Sequence, residues 1–217
     1  MAVSILFFDC WYTLFTSDFV DDLRRIAGIL GVPLTREFVK AYEQACMTQA
    51  ELDVRPGVRR LMAALGCPAD PQVAGLIVEI VEAGFDRQRP YDGTLAALGR
   101  LRSHYQLGLI TNSSQAALAR LAHTYELAAR FDVLMPSYET GAIKPDPRIF
   151  QAALDRAGVP AAQAVMVGDS PEDDYRGARH AGFGGAVLLD RRGRHPGHPH
   201  RITELAQLDK ALKSLKI

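Results

Sequence analysis

The chain has 217 residues, enough to bury one substantial hydrophobic core and a smaller appended unit. Its 25 lysine and arginine residues equal its 25 aspartate and glutamate residues, so no net charge draws it to nucleic acid or an anionic membrane. Three cysteines without CxxC spacing do not form a disulfide framework. No segment approaches the roughly 20 apolar residues of a membrane helix. These features predict a cytoplasmic protein that binds neither nucleic acid nor membrane.

The first predicted element is a strand, Ile5–Phe8, because a short apolar run ends there in a polar turn. From residue 16 to residue 88 no segment has the pattern of a strand, and apolar residues recur at helical spacing instead. The helices predicted in this interval are Phe19–Leu30, Arg36–Leu52, Gly57–Leu65 and Gln72–Phe85. We interpret residues 16–89 as a helical insertion with hinges near Thr16 and Pro90.

Beyond residue 90, short apolar runs alternate with amphipathic stretches, a pattern typical of βαβ units and a parallel sheet. The predicted strands are Leu107–Ile110, Val133–Met135, Ala164–Val167 and Ala186–Leu189, and the predicted helices are Leu95–Tyr105, Gln115–Leu127, Pro147–Ala157 and Pro171–Ala181. Asp146 and Ser170 each precede a proline, as N-cap residues often do. The sequence therefore predicts an α/β fold with a core domain of residues 1–15 and 90–217.

Polar side chains follow several of these strands at the point where each strand ends. Asp9, Thr111 with Asn112, and Asp169 come directly after apolar runs, and Lys144 lies in a loop soon after another. Each residue alone has a structural explanation as a turn former, a helix cap or a solvated charge. Ligands of an open parallel sheet gather at the carboxyl ends of its strands, so together these residues predict one site.

Four motifs in this order and spacing resemble those of the haloacid dehalogenase superfamily over nearly the whole chain. They are Phe8-Asp9-Cys10-Trp11-Tyr12-Thr13-Leu14, Ile110-Thr111-Asn112-Ser113, Gly141-Ala142-Ile143-Lys144-Pro145-Asp146, and Gly168-Asp169-Ser170 followed by Asp174 and Gly177-Ala178. The resemblance implies a Rossmann-like core. It also implies that the helical insertion is a cap domain, which closes over the site and helps to select the substrate.

The resemblance further implies that Asp9 is a covalent nucleophile beside a magnesium ion. Mg²⁺ prefers oxygen ligands, which Asp9, Asp169 and the backbone carbonyl of Trp11 would provide. Asp174 would support the metal from the following helix. Asp173 is an adjacent candidate for that role, and the spacing to Gly177-Ala178 favours Asp174.

Phosphoryl transfer depends mainly on positioning and charge neutralisation. By the same resemblance, Thr111 and the Asn112 amide hold phosphoryl oxygens, and Lys144 neutralises charge shared by the nucleophile and the phosphoryl group. The expected protein is a Mg²⁺-dependent hydrolase, a monomer or homodimer, that acts on a small phosphorylated metabolite through an aspartyl-phosphate intermediate.

The sequence departs from the phosphatase pattern two residues after the nucleophile. Phosphatases of this family carry there an aspartate that protonates the leaving oxygen and then activates water, whereas this chain has Trp11. An indole cannot do this work, so we expect slow hydrolysis of alkyl phosphates and interpret Trp11 as a packing residue or a wall of the substrate pocket. The next residue, usually glycine, is Tyr12, so a different local turn is expected.

Two other functions fit parts of the sequence. Haloacid dehalogenases also have an aromatic residue at the position of Trp11, because a halide leaves without a proton. Their fourth motif, however, is rich in serine and asparagine and needs no metal, whereas this chain has Asp169 within an acidic motif and no arginine in Val39–Leu52 to bind a haloacid carboxylate. The third possibility is a weakly active binding or regulatory protein that keeps the phosphate site.

Overall fold

The computed structural model describes residues 3–215, which form a six-stranded parallel sheet with helices on both faces. The strands are β1 (Ile5–Phe8), β2 (Gln106–Thr111), β3 (Val133–Pro136), β4 (Ala164–Gly168), β5 (Gly185–Leu189) and β6 (Arg201–Ile202). Their order across the sheet is β3-β2-β1-β4-β5-β6, so β1 lies in the middle between β2 and β4. This arrangement confirms the predicted α/β fold with a Rossmann-like core.

Strand β1 shows why both faces of the sheet are covered. All four of its residues are completely buried. Because successive side chains of a strand point to opposite faces, Leu6 and Phe8 pack in one hydrophobic cluster and Ile5 and Phe7 in another. A central strand with two apolar faces is the arrangement expected for a parallel sheet between helical layers.

Eleven α-helices occur among residues 3–215. They are α1 (Phe19–Leu30), α2 (Arg36–Cys46), α3 (Arg55–Ala64), α4 (Pro71–Asp86), α5 (Thr94–Arg102), α6 (Gln115–Tyr125), α7 (Leu127–Arg130), α8 (Ser137–Thr140), α9 (Pro147–Ala157), α10 (Gly177–His180) and α11 (Leu208–Ser214). None of them is long and apolar enough to cross a membrane. Helices α1 to α4 form the inserted helical cap, which has its own hydrophobic core around Leu23, Ile26, Phe38, Leu61 and Ile77.

Helix α2 is shorter than predicted, since it ends at Cys46 and not at Leu52. The reason is a contact with the core. The hydroxyl of Ser137 donates a hydrogen bond of 2.6 Å to the backbone carbonyl of Met47, and the same hydroxyl accepts one of 3.1 Å from the backbone N–H of Ser113. The end of α2 is therefore attached to the loop that follows β2.

Two paired segments connect the cap with the sheet. The backbone N–H of Thr16 donates to the carbonyl of Arg89 at 2.7 Å, and the N–H of Tyr91 donates to the carbonyl of Leu14 at 3.0 Å. Phe15 and Pro90 form an antiparallel bridge between these contacts. The pairing lies at the predicted hinges, and the division of the chain into residues 16–89 and the remainder stays a prediction.

The loop after β5 depends on one buried carboxylate. Asp190 accepts hydrogen bonds from the backbone N–H groups of Arg194 at 2.9 Å and His195 at 2.8 Å, and from Nε of Arg201 at 2.7 Å. Burial alone would raise the pKa of Asp190, but these three donors outweigh it and lower the pKa to about 2. The stabilisation is present above the ordinary carboxylate pKa and is lost as the pH falls towards 2.

We therefore expect Asp190→Ala to destabilise the protein at pH 7. The change leaves two part-buried backbone donors and the part-buried Arg201 guanidinium without their acceptor, which costs about 1–3 kcal/mol in the free energy of unfolding. Urea unfolding of wild type and variant measures the difference. Asp209→Ala is the matched control, because Asp209 forms only an exposed ion pair with Arg100 and should change stability by less than about 1 kcal/mol. Equal effects of the two changes would contradict this role of Asp190.

Candidate active site

A cavity of about 260 Å³ lies where the carboxyl ends of the central strands face the helical cap. The core contributes Asp9 after β1, Asn112 after β2 and Asp169 after β4. The cap contributes Tyr42, Glu43 and Met47 from the region of α2 and Phe85 from α4. The core side of the cavity is thus acidic and the cap side is partly aromatic, as in a site for a small polar ligand.

Asp9 and Lys144, which the sequence places 135 residues apart, form a buried ion pair. The Nζ atom of Lys144 lies 2.7 Å from Oδ1 of Asp9 and 2.6 Å from Oδ1 of Asp174. The side chain of Lys144 is only 3% exposed. Burial would lower the pKa of Lys144, but the two carboxylates outweigh this effect and raise it, so the ammonium group stays charged.

The described side chains place a third carboxylate, Asp169, beside this ion pair. One oxygen each from Asp9, Asp169 and Asp174 lies within 4.8 Å of the others. Burial raises the pKa of Asp9, although Lys144 opposes the shift. Burial also raises the pKa of Asp169, and the charges of Asp9 and Asp174 raise it further. An uncompensated negative charge among oxygen donors fits a divalent cation such as Mg²⁺, and the residues present therefore fit that ion.

A π-helical turn, Pro171–Arg176, positions the acidic residues after β4. Ser170 caps it, and its backbone N–H donates to Oδ2 of Asp174 at 3.0 Å. Asp174 therefore faces Asp9 and Lys144, whereas Asp173 accepts a hydrogen bond of 3.1 Å from the Ser170 hydroxyl. A Cβ atom on Gly168 would clash with the carboxylate of Asp174, so only glycine leaves room for this side chain.

Asn112 holds the backbone of Lys144 in place. Its Oδ1 accepts a hydrogen bond of 2.7 Å from the Lys144 N–H, and its Nδ2 donates one of 3.3 Å to the Lys144 carbonyl. Thr111 is completely buried and is not part of the cavity wall, and its hydroxyl has no hydrogen-bond partner among residues 3–215. A buried hydroxyl without a partner is costly, which is consistent with a ligand-binding role.

Trp11 lines the cavity beside Asp9, and Tyr12 follows in a left-handed backbone conformation. The φ angle of Tyr12 is 61°, which glycine adopts freely and a bulky residue rarely does. Tyr12 therefore keeps the left-handed backbone conformation that the usual glycine would adopt at this position, and the turn is not changed. The hydroxyl of Tyr12 accepts a hydrogen bond of 3.4 Å from the N–H of Val20, so this residue links the core to the start of α1.

Glu43, on helix α2, is a cavity residue that the sequence motifs do not indicate. Burial and the negative charge of Asp173 raise the pKa of Glu43 to about 7, although the Asn112 amide and Lys144 oppose the shift. Its neighbours Phe38, Tyr42 and Ala45 form the buried face of the helix. The helical periodicity marks that face, but nothing in the sequence shows that the adjacent position overlooks Asp9.

Comparisons with known proteins give the family of this chain. A family model described as haloacid dehalogenase-like hydrolase matches residues 3–182. Pyrimidine 5'-nucleotidase YjjG of Escherichia coli (strain K12) is 30% identical over 82% of both chains. Phosphoserine phosphatase of Thermus thermophilus is 38% identical over 58% of this chain and 52% of its own.

Among solved structures, a 2-haloacid dehalogenase from Pseudomonas syringae is similar at a TM-score of 0.67 with 26% identity, covering 97% of this chain and 98% of its own. A HAD phosphatase from Thermococcus onnurineus matches in fold, with a TM-score of 0.66 and 23% identity over 99% of this chain and 100% of its own. The family match covers most of the chain, and the relative from Escherichia coli is 30% identical over 82% of it. The chain therefore belongs to the haloacid dehalogenase-like hydrolases.

Proposed function

We propose that this hydrolase is a Mg²⁺-dependent phosphatase of a small phosphorylated metabolite. The observation that carries the proposal is the cluster of Asp9, Asp169 and Asp174, of which only Asp9 and Asp174 are paired with the ammonium group of Lys144. A phosphate ester brings negative charge to such a site, so the surplus of carboxylates is useful only if a metal cation compensates it.

In the proposed mechanism a carboxylate oxygen of Asp9 attacks phosphorus and forms an aspartyl phosphate. Asp9, Asp169 and the backbone carbonyl of Trp11 would hold Mg²⁺, with Asp174 in support, and the ion would neutralise charge on the phosphoryl oxygens. Lys144 neutralises charge shared by the nucleophile and the phosphoryl group.

On the other side of the phosphoryl group, Thr111 and Asn112 act as donors. We assign Thr111 this role because its hydroxyl lacks a partner among the described residues, although it lies behind the cavity wall, so contact with a phosphoryl oxygen requires the wall to open at this point. The side chain of Asn112 is engaged with the Lys144 backbone, so we assign the Asn112 backbone N–H to a phosphoryl oxygen.

The relatives and the cavity both favour a small substrate. The names of two similar proteins refer to a nucleotidase and a phosphoserine phosphatase, whose reactions release phosphate from small molecules. A cavity of about 260 Å³ leaves room for a phosphoryl group and a small organic group beneath α2 and α4. We propose that Trp11 forms the apolar side of this substrate pocket.

Dehalogenation is the second candidate, favoured by the similarity to the dehalogenase from Pseudomonas syringae and by an aromatic residue at Trp11. The cavity argues against it. A short haloacid carries a carboxylate, and the residues that overlook the site from α2 and the π-helical turn include Glu43 and Asp173. No arginine is among the described residues that line the cavity, so the carboxylate of a haloacid would lack a guanidinium group to bind it.

A panel of phosphate esters and short haloacids, each assayed with and without Mg²⁺, distinguishes the two functions. We expect release of phosphate from aryl and small alkyl phosphates only with Mg²⁺, and no release of halide. Metal-independent halide release would make the protein a dehalogenase. No turnover of any ester, with vanadate still bound, would instead indicate a phosphate-binding protein.

A further inference from the structure

We propose that Glu43, delivered by the cap, is the general acid and base that the position of Trp11 cannot supply. This inference rests on the proposed phosphatase function. It assigns a second catalytic side chain to a helix that lies outside the four sequence motifs.

The geometry places Glu43 in the same cavity as the nucleophile. Glu43 from the cap and Asp9, which follows β1, both line this space of about 260 Å³, together with Asn112 and Lys144. The carboxyl group lies close enough to Lys144 and Asp173 for their charges to affect it. A group bound in this cavity is therefore exposed both to Asp9 from the core and to Glu43 from the cap.

The helix that carries Glu43 is fixed against the core. The carbonyl of Glu43 accepts the backbone N–H of Met47 at 2.8 Å, and the carbonyl of Met47 accepts the Ser137 hydroxyl at 2.6 Å. Ser137 is completely buried and also binds the loop after β2. Tyr42 packs edge-on against Phe19 with ring centroids 5.5 Å apart, which fixes the adjacent turn of the helix.

The protonation state supports an acid and base role. A group whose pKa is about 7 can hold a proton for the leaving group and accept one from water at neutral pH. The charged groups that face it are Asp173, Lys144 and Lys40. Other acids of the wall suit the role less well, because Asp173 is bound to the Ser170 hydroxyl and the pKa of the Tyr12 hydroxyl is raised.

The chemistry balances in two steps. In the first, the Asp9 carboxylate forms a bond to phosphorus, the bond to the ester oxygen breaks, and the protonated Glu43 gives that oxygen its proton, releasing an alcohol. In the second, water attacks phosphorus, its proton passes to the Glu43 carboxylate, and the bond to Asp9 breaks. Inorganic phosphate leaves, and both side chains return to their starting states.

The experiment compares Glu43→Gln with wild type on an aryl and an alkyl phosphate of similar size, using rapid-quench kinetics with Mg²⁺. With Glu43 as the acid, the slow alkyl hydrolysis expected from Trp11 alone no longer applies, and wild type should transfer the phosphoryl group of both esters at comparable rates. In the variant, transfer from the alkyl ester should fall by ~10²–10⁴, whereas p-nitrophenol, which needs no proton, should still be released in a rapid burst of one equivalent per site. Slow turnover should follow the burst, because the aspartyl phosphate lacks a base. Glu37→Gln, an exposed acid on the same helix, is the control and should behave as wild type.

Three results would overturn the proposal. The first is an equal fall in the phosphoryl-transfer rate of Glu43→Gln on both esters, without a burst of p-nitrophenol. The second is a change only in the KM of the variant. The third is wild-type protein that already transfers the phosphoryl group of the alkyl ester slowly. A wild type that hydrolyses neither ester would refute the phosphatase function itself, so the two failures are distinguishable.

Discussion

Replacing Asp9 with asparagine is expected to abolish turnover, with a loss on the order of 10⁴-fold or more. The amide has nearly the same shape as the carboxylate but is not nucleophilic, so no aspartyl phosphate can form. The fold should persist, because Lys144 keeps its ion pair of 2.6 Å with Asp174 when its partner at position 9 becomes neutral. The fully buried ammonium group is thus not left without a counter-charge.

The measurement combines activity on p-nitrophenyl phosphate with mass spectrometry of acid-quenched protein. Wild type should carry a phosphoryl group on the peptide that contains Asp9, and the variant should carry none. Circular dichroism and the melting temperature establish that the variant is folded. Asp21→Asn is the matched control, because Asp21 is 73% exposed on the cap surface and should leave both readouts unchanged. Turnover of the Asp9 variant near the wild-type rate would remove Asp9 from its proposed role.

Most of the sheet could be predicted because its strands have strong apolar patterns. The predicted strand Ile5–Phe8 is confirmed without change, and the other four predicted strands agree within one residue at each end. Strand β6 was not predicted, since two residues, Arg201 and Ile202, are too few to form a pattern. The predicted helix Gln115–Leu127 is divided at Glu126, whose φ angle of 51° interrupts the helix. The spacing of apolar residues does not predict where a residue adopts a left-handed backbone conformation.

The candidate site could be predicted where its residues follow strands and belong to motifs. Strand ends fix Asp9 and Asp169 at one edge of the sheet, so their proximity followed from topology. The spacing to Gly177-Ala178 favoured Asp174 over Asp173, and Asp174 does lie beside Lys144, but the π-helical turn that carries it there has no signal in the sequence. Glu43 depends on how the cap docks on the core. That docking is made by tertiary contacts such as Ser137 with Met47, which no local pattern reveals.

Removal of the metal is expected to eliminate activity completely. With chelator present, Asp9 and Asp169 lie in one oxygen cluster without a divalent cation, and an incoming phosphate would add further negative charge. Addition of Mg²⁺ should restore turnover, and it should also raise the melting temperature of the free protein. Saturation at about 100 times Kd corresponds to about 2.7 kcal/mol, or roughly 5–10 °C for a chain of this size.

The thermal shift tests metal binding without relying on catalysis. Asp169→Asn should remove both the shift and the activity, because it takes one oxygen ligand with its charge from the cluster. Asp173→Asn is the matched comparison, since Asp173 lies next to the cluster but is bound to the Ser170 hydroxyl at 3.1 Å. Its shift with Mg²⁺ should remain. If the Asp173 variant loses the thermal shift and the Asp169 variant keeps it, the metal ligands are wrongly assigned. Undiminished turnover of wild type in chelator would exclude a metal-dependent phosphatase. It would favour a dehalogenase, whose leaving halide needs no cation of this kind.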